Sequence, residues 1–175
     1  MNPVIRLALP LLPLLLSACG WISLPEQRVS DFSFTVSGLN LTPGQVAYLP
    51  YNQLEGVRLP PALLPYNGVS GGADLTYRGQ TPELRLELFG ASFRPVCPLV
   101  MVAGVGVSLV CDGPAGGQVL SELTLHPGES TRLRLGGPDQ AVRGGALYLG
   151  VRLLEGQFRP GERVDVTGGV LGARL

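Results

Sequence analysis

Alternation of apolar and polar residues is the feature that most restricts the fold of this chain. Between residues 83 and 88 every second residue is leucine and the residues between are charged, and similar alternation recurs at 74–78 and 131–135. Successive side chains of a strand point to opposite faces of a sheet, so this pattern predicts half-buried antiparallel strands. No segment after the N-terminal leader has the period of an amphipathic helix.

Turn signals separate the predicted strands. Pro-Gly pairs occur at 43–44, 127–128 and 160–161. In such a pair proline sets φ at the first central turn position and glycine takes the positive φ at the second. The chain contains 25 Gly and 16 Pro among 175 residues, yet 45% of its residues are apolar, which disordered chains lack. We therefore expect an all-β fold: one antiparallel β-sandwich of about eight or nine strands over residues 32–175.

Two shorter patterns refine this expectation. The run from Leu123 to Thr131, which contains His-Pro-Gly-Glu, resembles the strand–PGE–strand hairpin of bacterial immunoglobulin-like and fibronectin-like modules. That resemblance implies an immunoglobulin-like sandwich and carries no functional residues. Gly168 and Gly169, within the last predicted strand, suggest a β-bulge.

Cys97 and Cys111 stand at matching positions in a predicted hairpin. If the hairpin tip is at Gly104, the two cysteines are equally far from it and lie directly opposite each other. Opposed residues have Cα atoms about 4.5–5.5 Å apart, and disulfides accept about 4.4–6.8 Å. We predict a Cys97–Cys111 disulfide; the alternative is two buried free thiols. Pro95 and Pro98 place the first arm at the edge of a sheet.

The segment 47–70 is rich in proline and tyrosine, and its prolines argue against a central strand or a helix. Two interpretations are open. The segment is a binding loop that presents Tyr48, Tyr51 and Tyr66 as rigid contact residues. Alternatively, it is a crossover strapped over the sheet, with its leucines and tyrosines packed against the domain.

The first residues have the pattern of a secretory signal: one positive charge, an apolar run over 7–16 and small residues before a cleavage site. The run is shorter than the roughly 20 residues of a membrane-spanning helix. Leu-Ser-Ala-Cys at 16–19 resembles the lipobox of bacterial lipoprotein signal peptides. The resemblance implies that residues 1–18 are a cleaved signal helix, that Cys19 is lipidated, and that the protein is exported and bound to a membrane through this lipid.

The resemblance also bears on the residues that follow. Gly20 stands where inner-membrane lipoproteins of enterobacteria carry Asp, which favours the outer membrane. We expect residues 19–31 to form a lipidated tether that reaches roughly 20 Å. With Cys19 used by lipid, the two remaining cysteines form an even pair in a compartment where disulfides persist.

The residue inventory argues against several function classes. Formal net charge is zero, and without the leader's Arg6 it is −1, so nothing favours nucleic acid. The one histidine, His126, lies in a predicted turn without a second histidine, which speaks against a metal site and a Ser-His-Asp triad. The chain has no lysine for a Walker loop. We expect no metal and no cofactor.

A pair of carboxylates is the one catalytic arrangement that the charged residues leave open. Glu83 and Glu87 share a strand face, but Arg85 lies between them, which is typical of a solvated, charge-balanced face. Arg85, Arg132 and Arg134 would form a basic patch only if their strands are neighbours.

The sequence thus favours a non-catalytic envelope protein with a structural or docking role at the membrane surface, contacting another envelope protein or a polymer. One alternative is a carrier or chaperone for an apolar ligand, suggested by Met101, Val102 and Val105 near the hairpin tip. An envelope hydrolase is less favoured, because it would need two close carboxylates with raised pKa in a cleft.

Overall fold

A computed structural model of the chain describes residues 26–35, 41–57, 68–102, 106–136 and 145–174. These residues form eleven strands and no helix, in two antiparallel sheets that pack as a β-sandwich. The strands are β1 (Gln27–Arg28), β2 (Phe32–Phe34), β3 (Val46–Tyr48), β4 (Gly68–Arg78), β5 (Leu84–Ala91), β6 (Leu99–Val102), β7 (Gly106–Cys111), β8 (Gln118–Leu125), β9 (Ser130–Gly136), β10 (Tyr148–Glu155) and β11 (Arg163–Arg174). The predicted fold class is confirmed.

The sheets join strands that are distant in the chain. Sheet I has the order β1-β11-β4-β9, and β2 pairs with the other half of the same edge of β11. Sheet II has the order β6-β7-β3-β10-β5-β8. β1 and β2 keep one register along β11, with Gln27 opposite Leu171 and Phe34 opposite Val164. They therefore act as one interrupted edge strand.

The main core lies between the sheets and is built from the alternating residues that the sequence indicates. Leu84, Leu86 and Leu88 of sheet II face Leu75 and Tyr77 of sheet I in one buried cluster. Each buried leucine of this kind contributes about 1.5–3 kcal/mol relative to an exposed one.

The N-terminal segment differs from the prediction. The expected tether over 19–31 ends earlier, because Gln27 and Arg28 pair with β11 and the amide of Val29 donates a 2.9 Å hydrogen bond to the carbonyl oxygen of Gly169. Two paired residues show too little period to be recognised as a strand from sequence. Cys19 lies outside the described residues.

The segment 47–70 is also more regular than predicted. Ala47 and Tyr48 belong to β3, an inner strand of sheet II, and β4 already begins at Gly68. The prolines predict no central strand, yet β3 fits before the first of them, Pro50. Short strands such as β1 and β3 bring the number to eleven, where the sequence predicts eight or nine.

All three Pro-Gly turns connect one sheet to the other. In each turn the amide of the fourth residue donates to the carbonyl oxygen of the first, at 3.1–3.2 Å. The glycines have φ of 93°, 77° and 84°, as the sequence predicts. The turn at 126–129 does not close a hairpin, because β8 pairs with β5 in sheet II and β9 pairs with β4 in sheet I. The predicted bulge is present: the β11–β4 register shifts between Thr167 and Val170.

The two ends of the sandwich differ. One end, called the turn end here, carries the Pro-Gly turns at 42–45, 126–129 and 159–162. At the opposite hairpin end, β7 and β10 begin, since both run antiparallel to β3. Leu54, Leu147 and Leu171 form an apolar cluster there, so β11 ends at the same place. Because Gln27 pairs with Leu171, the N-terminal chain enters the sandwich at the hairpin end.

Candidate functional site

A second apolar core covers the outer face of sheet II, which points away from sheet I. Its buried members come from three strands of that sheet, β3, β5 and β7: Val46, Tyr48, Phe89, Ala91, Leu109 and Cys111. Ala47, which lies between Val46 and Tyr48, belongs to the main core, so the two sets occupy opposite faces. Tyr48 is 0% exposed, and burial raises its pKa to about 12. The prediction of Tyr48 as a contact residue of a binding loop is therefore wrong, and its ring is packed against the domain, as the alternative interpretation expects.

Glycines make room for the ring of Tyr48. Gly150 is its cross-strand partner, and a β-carbon at Gly150 would lie 2.6 Å from the ring atom Cε1. A β-carbon at Gly117 would lie 2.2 Å from the hydroxyl oxygen. The hydroxyl donates a hydrogen bond to the carbonyl oxygen of Pro114. The β7–β8 connection, residues 112–117, thus passes over the outer face and covers the ring.

A disulfide ties this cover to the sheet edge. Cys97 and Cys111 are bonded, with Cα atoms 5.2 Å apart, which confirms the predicted bridge. The predicted register is also confirmed, with Leu99 opposite Leu109. β6 is an edge strand, as its flanking prolines indicate. The bridge joins the β5–β6 connection, residues 92–98, to the end of β7 beside the second core.

The same face stays exposed further along the β6–β7 hairpin. Met101 lies opposite Val107, two residues beyond Leu99 toward the hairpin end. Met101 is 76% exposed, Leu99 is 54% exposed and Val107 is partly exposed. We call Leu99, Met101 and Val107 the hairpin surface. Apolar side chains exposed side by side indicate a contact surface, whereas scattered ones need no explanation.

The β6–β7 hairpin, which carries the hairpin surface, has no charged residue and extends beyond the part of β7 that pairs with β3. No charged residue occurs from Pro95 to Cys111. β3 pairs with β7 only as far as Leu109, while β7 continues back to Gly106 at the hairpin end. Over that length β7 is paired with the edge strand β6. These features make the hairpin the strongest candidate binding element among the described residues.

The other two tyrosines of the predicted binding loop have different outcomes. Tyr51 is 50% exposed and follows β3 at the hairpin end, where the amide of Gln53 donates a 2.8 Å hydrogen bond to the carbonyl oxygen of Leu147. Tyr66 lies outside the described residues. Of the two described tyrosines of this predicted loop, Tyr51 is the exposed one, and it lies at the hairpin end.

Polar residues gather at the turn end, in a buried cluster around Glu162. The carboxylate is 5% exposed and accepts hydrogen bonds from the Tyr77 hydroxyl (2.6 Å) and the amides of Gln80 and Arg159 (both 2.8 Å). Burial by itself raises the pKa of Glu162, but the three hydrogen bonds outweigh it and hold the pKa below the ordinary value. Burial and the bond to Glu162 raise the pKa of Tyr77. The depressed pKa keeps this carboxylate ionised, and its three hydrogen bonds join the last Pro-Gly turn to Tyr77 and to the β4–β5 connection.

The sequence signal for this cluster is the fourth residue of the Pro-Gly turns. Glu162 accepts the amide of the first turn residue, Arg159, and Gln45 accepts the amide of Thr42 in the same way at 2.9 Å. Glu129 holds the same turn position but is exposed. The motif therefore identifies a carboxylate or amide that closes its own turn, while burial depends on neighbours that the motif does not contain.

The three arginines that could form a basic patch lie in different sheets. Arg85 lies in sheet II, where it pairs with Glu122 and Glu155, whereas Arg132 and Arg134 lie in sheet I. The conditional basic patch is thus not formed.

Of the two carboxylates predicted to share a strand face, Glu83 and Glu87, Glu87 is engaged in an ion pair. Glu87 is held by Arg152, its cross-strand partner, and the guanidinium of Arg152 lies 5.1 Å from the centroid of the Phe89 ring. This carboxylate is committed to an ion pair on the outer face of sheet II.

An apolar cavity lies between the sheets at the hairpin end. Its volume is about 50 Å³, and its lining includes Phe32, Leu54, Leu147 and Leu171. Ligand sites usually measure roughly 300–1,000 Å³. In this conformation the cavity is too small for a lipid-sized ligand.

Within the described ranges, no cluster of three or more His, Cys, Asp or Glu side chains could hold a metal ion. The same ranges contain no helix with the length and hydropathy to cross a membrane. A scan against protein-family models and a search of curated proteins both returned no match.

Proposed function

We propose that the protein is a lipid-anchored cell-envelope module whose β-sandwich docks, without catalysis, onto another envelope component. The observation that carries this proposal is the hairpin surface: Met101 and Leu99, 76% and 54% exposed, on an uncharged hairpin at a sheet edge. The lipobox-like sequence at 16–19 supports export and lipidation at Cys19. Gly20 supports delivery to the outer membrane.

The chemistry of the described residues supports a binding role over an enzymatic one. The buried carboxylate of Glu162 is ionised and accepts three hydrogen bonds, and the carboxylate of Glu87 is paired with Arg152. A general acid needs a raised pKa and an open position for substrate. A carrier for an apolar ligand would need a sizeable apolar pocket, and the small volume of the cavity between the sheets speaks against that alternative.

The test uses the mature chain with Cys19→Ser, so that any binding comes from the domain. We expect this protein to sediment with isolated envelope membranes. The double change Leu99→Glu and Met101→Glu should weaken binding about tenfold or more, because two charges cannot be buried at an apolar contact. Val119→Glu is the matched control: Val119 is also 54% exposed, but on β8, the opposite edge of sheet II.

The control should bind like the parent protein, and all three should have unchanged melting temperatures. Equal sedimentation of the hairpin variant and the parent would exclude the hairpin surface as the docking site. Deletion of 47–70 is not a suitable test, because it would remove Tyr48 from the centre of sheet II.

A further inference from the structure

We infer that the hairpin surface docks onto the lipid bilayer, so that the hairpin end of the sandwich faces the membrane. This inference rests on the proposed function, since it takes the lipid on Cys19 as the anchor. It deepens that function by naming the partner: the apolar interface of the bilayer rather than a protein.

The path of the chain supports this orientation. Gln27 pairs with Leu171 at the hairpin end, so the segment that leads to Cys19 leaves the sandwich there. Between Cys19 and Glu26 even a fully extended chain spans at most about 25 Å. The β6–β7 hairpin projects at the same end. A lipid on Cys19 therefore keeps the hairpin surface within a short distance of the bilayer.

Apolar character, rather than charge, would drive this contact. The hairpin arms carry no charged residue. Among the described exposed residues near this end, Glu26 precedes β1, Arg28 ends β1, Glu55 follows β3 and Arg134 lies on β9, so charges of both signs are present. Interfacial insertion that buries apolar area depends little on ionic strength, in contrast to binding by a basic patch. We therefore expect the contact to persist in zwitterionic vesicles and at high salt.

The experiment uses the lipidated protein reconstituted into phosphatidylcholine vesicles that contain bromine-labelled acyl chains, which quench tryptophan. The natural Trp21 is first changed to Phe. One protein then carries Met101→Trp on the hairpin surface. The matched control carries Glu129→Trp, an exposed residue at the turn end.

The expected result is at least twofold quenching for Met101→Trp, unchanged in 0.5 M salt, and no quenching for Glu129→Trp. If the protein floats with the vesicles but Met101→Trp is not quenched, the bilayer contact is wrong while the lipid anchor stands. Equal quenching at both positions would contradict the orientation. If the protein does not float at all, the anchor is wrong and the inference falls with it.

A protein partner is a distinguishable outcome. If Met101→Trp becomes shielded from aqueous iodide only in native envelope membranes, and not in pure lipid vesicles, the occupant of the hairpin surface is a protein, and the inference is overturned.

Discussion

The hydroxyl of Tyr77, on β4, donates a 2.6 Å hydrogen bond to the carboxylate of Glu162, in the turn before β11. This contact holds the last Pro-Gly turn against the β4–β5 connection, whose Gln80 amide bonds the same carboxylate. The ring of Phe158 packs edge-on against the ring of Tyr77, with centroids 6.1 Å apart. One buried charge thus fixes how the chain passes between the two sheets at the turn end.

Glu162→Gln should destabilise the fold by about 2–3 kcal/mol. An amide nitrogen would face at least one of the three donors around Glu162 and leave a buried hydrogen bond unmade. The change is measured by urea unfolding at pH 7. Glu129→Gln is the matched control at the same turn position in an exposed setting, and it should change stability by less than about 0.5 kcal/mol. Equal effects would mean that burial of Glu162 is energetically unimportant.

The same pair of proteins should differ in pH dependence. The pKa of Glu162 is depressed in the folded state, so its stabilising contribution is present above the unfolded pKa of about 4.3 and is lost as pH falls through the lower folded pKa. Unfolding free energies between pH 7 and pH 2 should therefore converge for the parent and Glu162→Gln at the acid end. A constant difference over this range would contradict the depressed pKa.

Gly150→Ala should cost about 1–3 kcal/mol, because the new β-carbon would overlap the ring of Tyr48, which has no exposed surface through which to move. Gly172→Ala is the control in another strand: the nearest atom to its β-carbon would be the Ser70 Oγ at 3.5 Å. Thermal unfolding should show a lower melting temperature for Gly150→Ala and little change for Gly172→Ala. Similar melting temperatures would show that β3 can shift within sheet II to make room for the new β-carbon.

Replacing Cys97 and Cys111 by serine should destabilise the domain by about 3 kcal/mol in the loop-entropy model. The second core beside Cys111 should loosen first, because the bridge joins its cover to the sheet edge. Hydrogen exchange of the Val110 amide, which donates to the carbonyl oxygen of Pro98 at 3.0 Å, reports this locally. Unchanged exchange at Val110 would indicate that the β6–β7 pairing holds without the bridge.

Cys19→Ala, made in the full chain, should abolish labelling with a fatty acid and lower the fraction of the protein bound to membranes, because only the hairpin surface would then hold it there. Two or more acyl chains hold a protein stably on a membrane, and losing them all removes that anchor. Fractionation and metabolic labelling with a fatty acid measure the change. Incorporation of the label into Cys19→Ala would show that lipid is attached elsewhere.

The sequence was most informative where local geometry determines the outcome. The alternating leucines of β5, the φ values of the Pro-Gly turns, the bulge at Gly168 and the Cys97–Cys111 register follow from rules that act over a few residues. The prediction for Tyr48 failed because its burial depends on distant glycines, Gly150 and Gly117, that leave space for its ring. The same applies to Glu162, whose donors come from segments far apart in the chain.

Sheet membership was the other property that local pattern did not contain. The HPGE turn has the same backbone geometry whether it closes a hairpin or crosses between sheets. Whether the turn closes a hairpin depends on the strands with which β8 and β9 pair. Here β8 pairs with β5 and β9 pairs with β4. Those pairings depend on the packing of the whole domain. The hairpin surface could be located from register, but its exposure follows from the position of β6 at the sheet edge.

The interrupted edge strand formed by β1 and β2 has a mechanical consequence. Its N-terminal end lies where the chain leaves the sandwich, and it runs along β11 in one register from Gln27 to Phe34. A force pulling on the N-terminal chain along the strand axis would therefore load these interstrand hydrogen bonds together, in shear, instead of opening them one at a time. The pairing of β1 and β2 with β11 is therefore suited to resisting tension on the N-terminal chain.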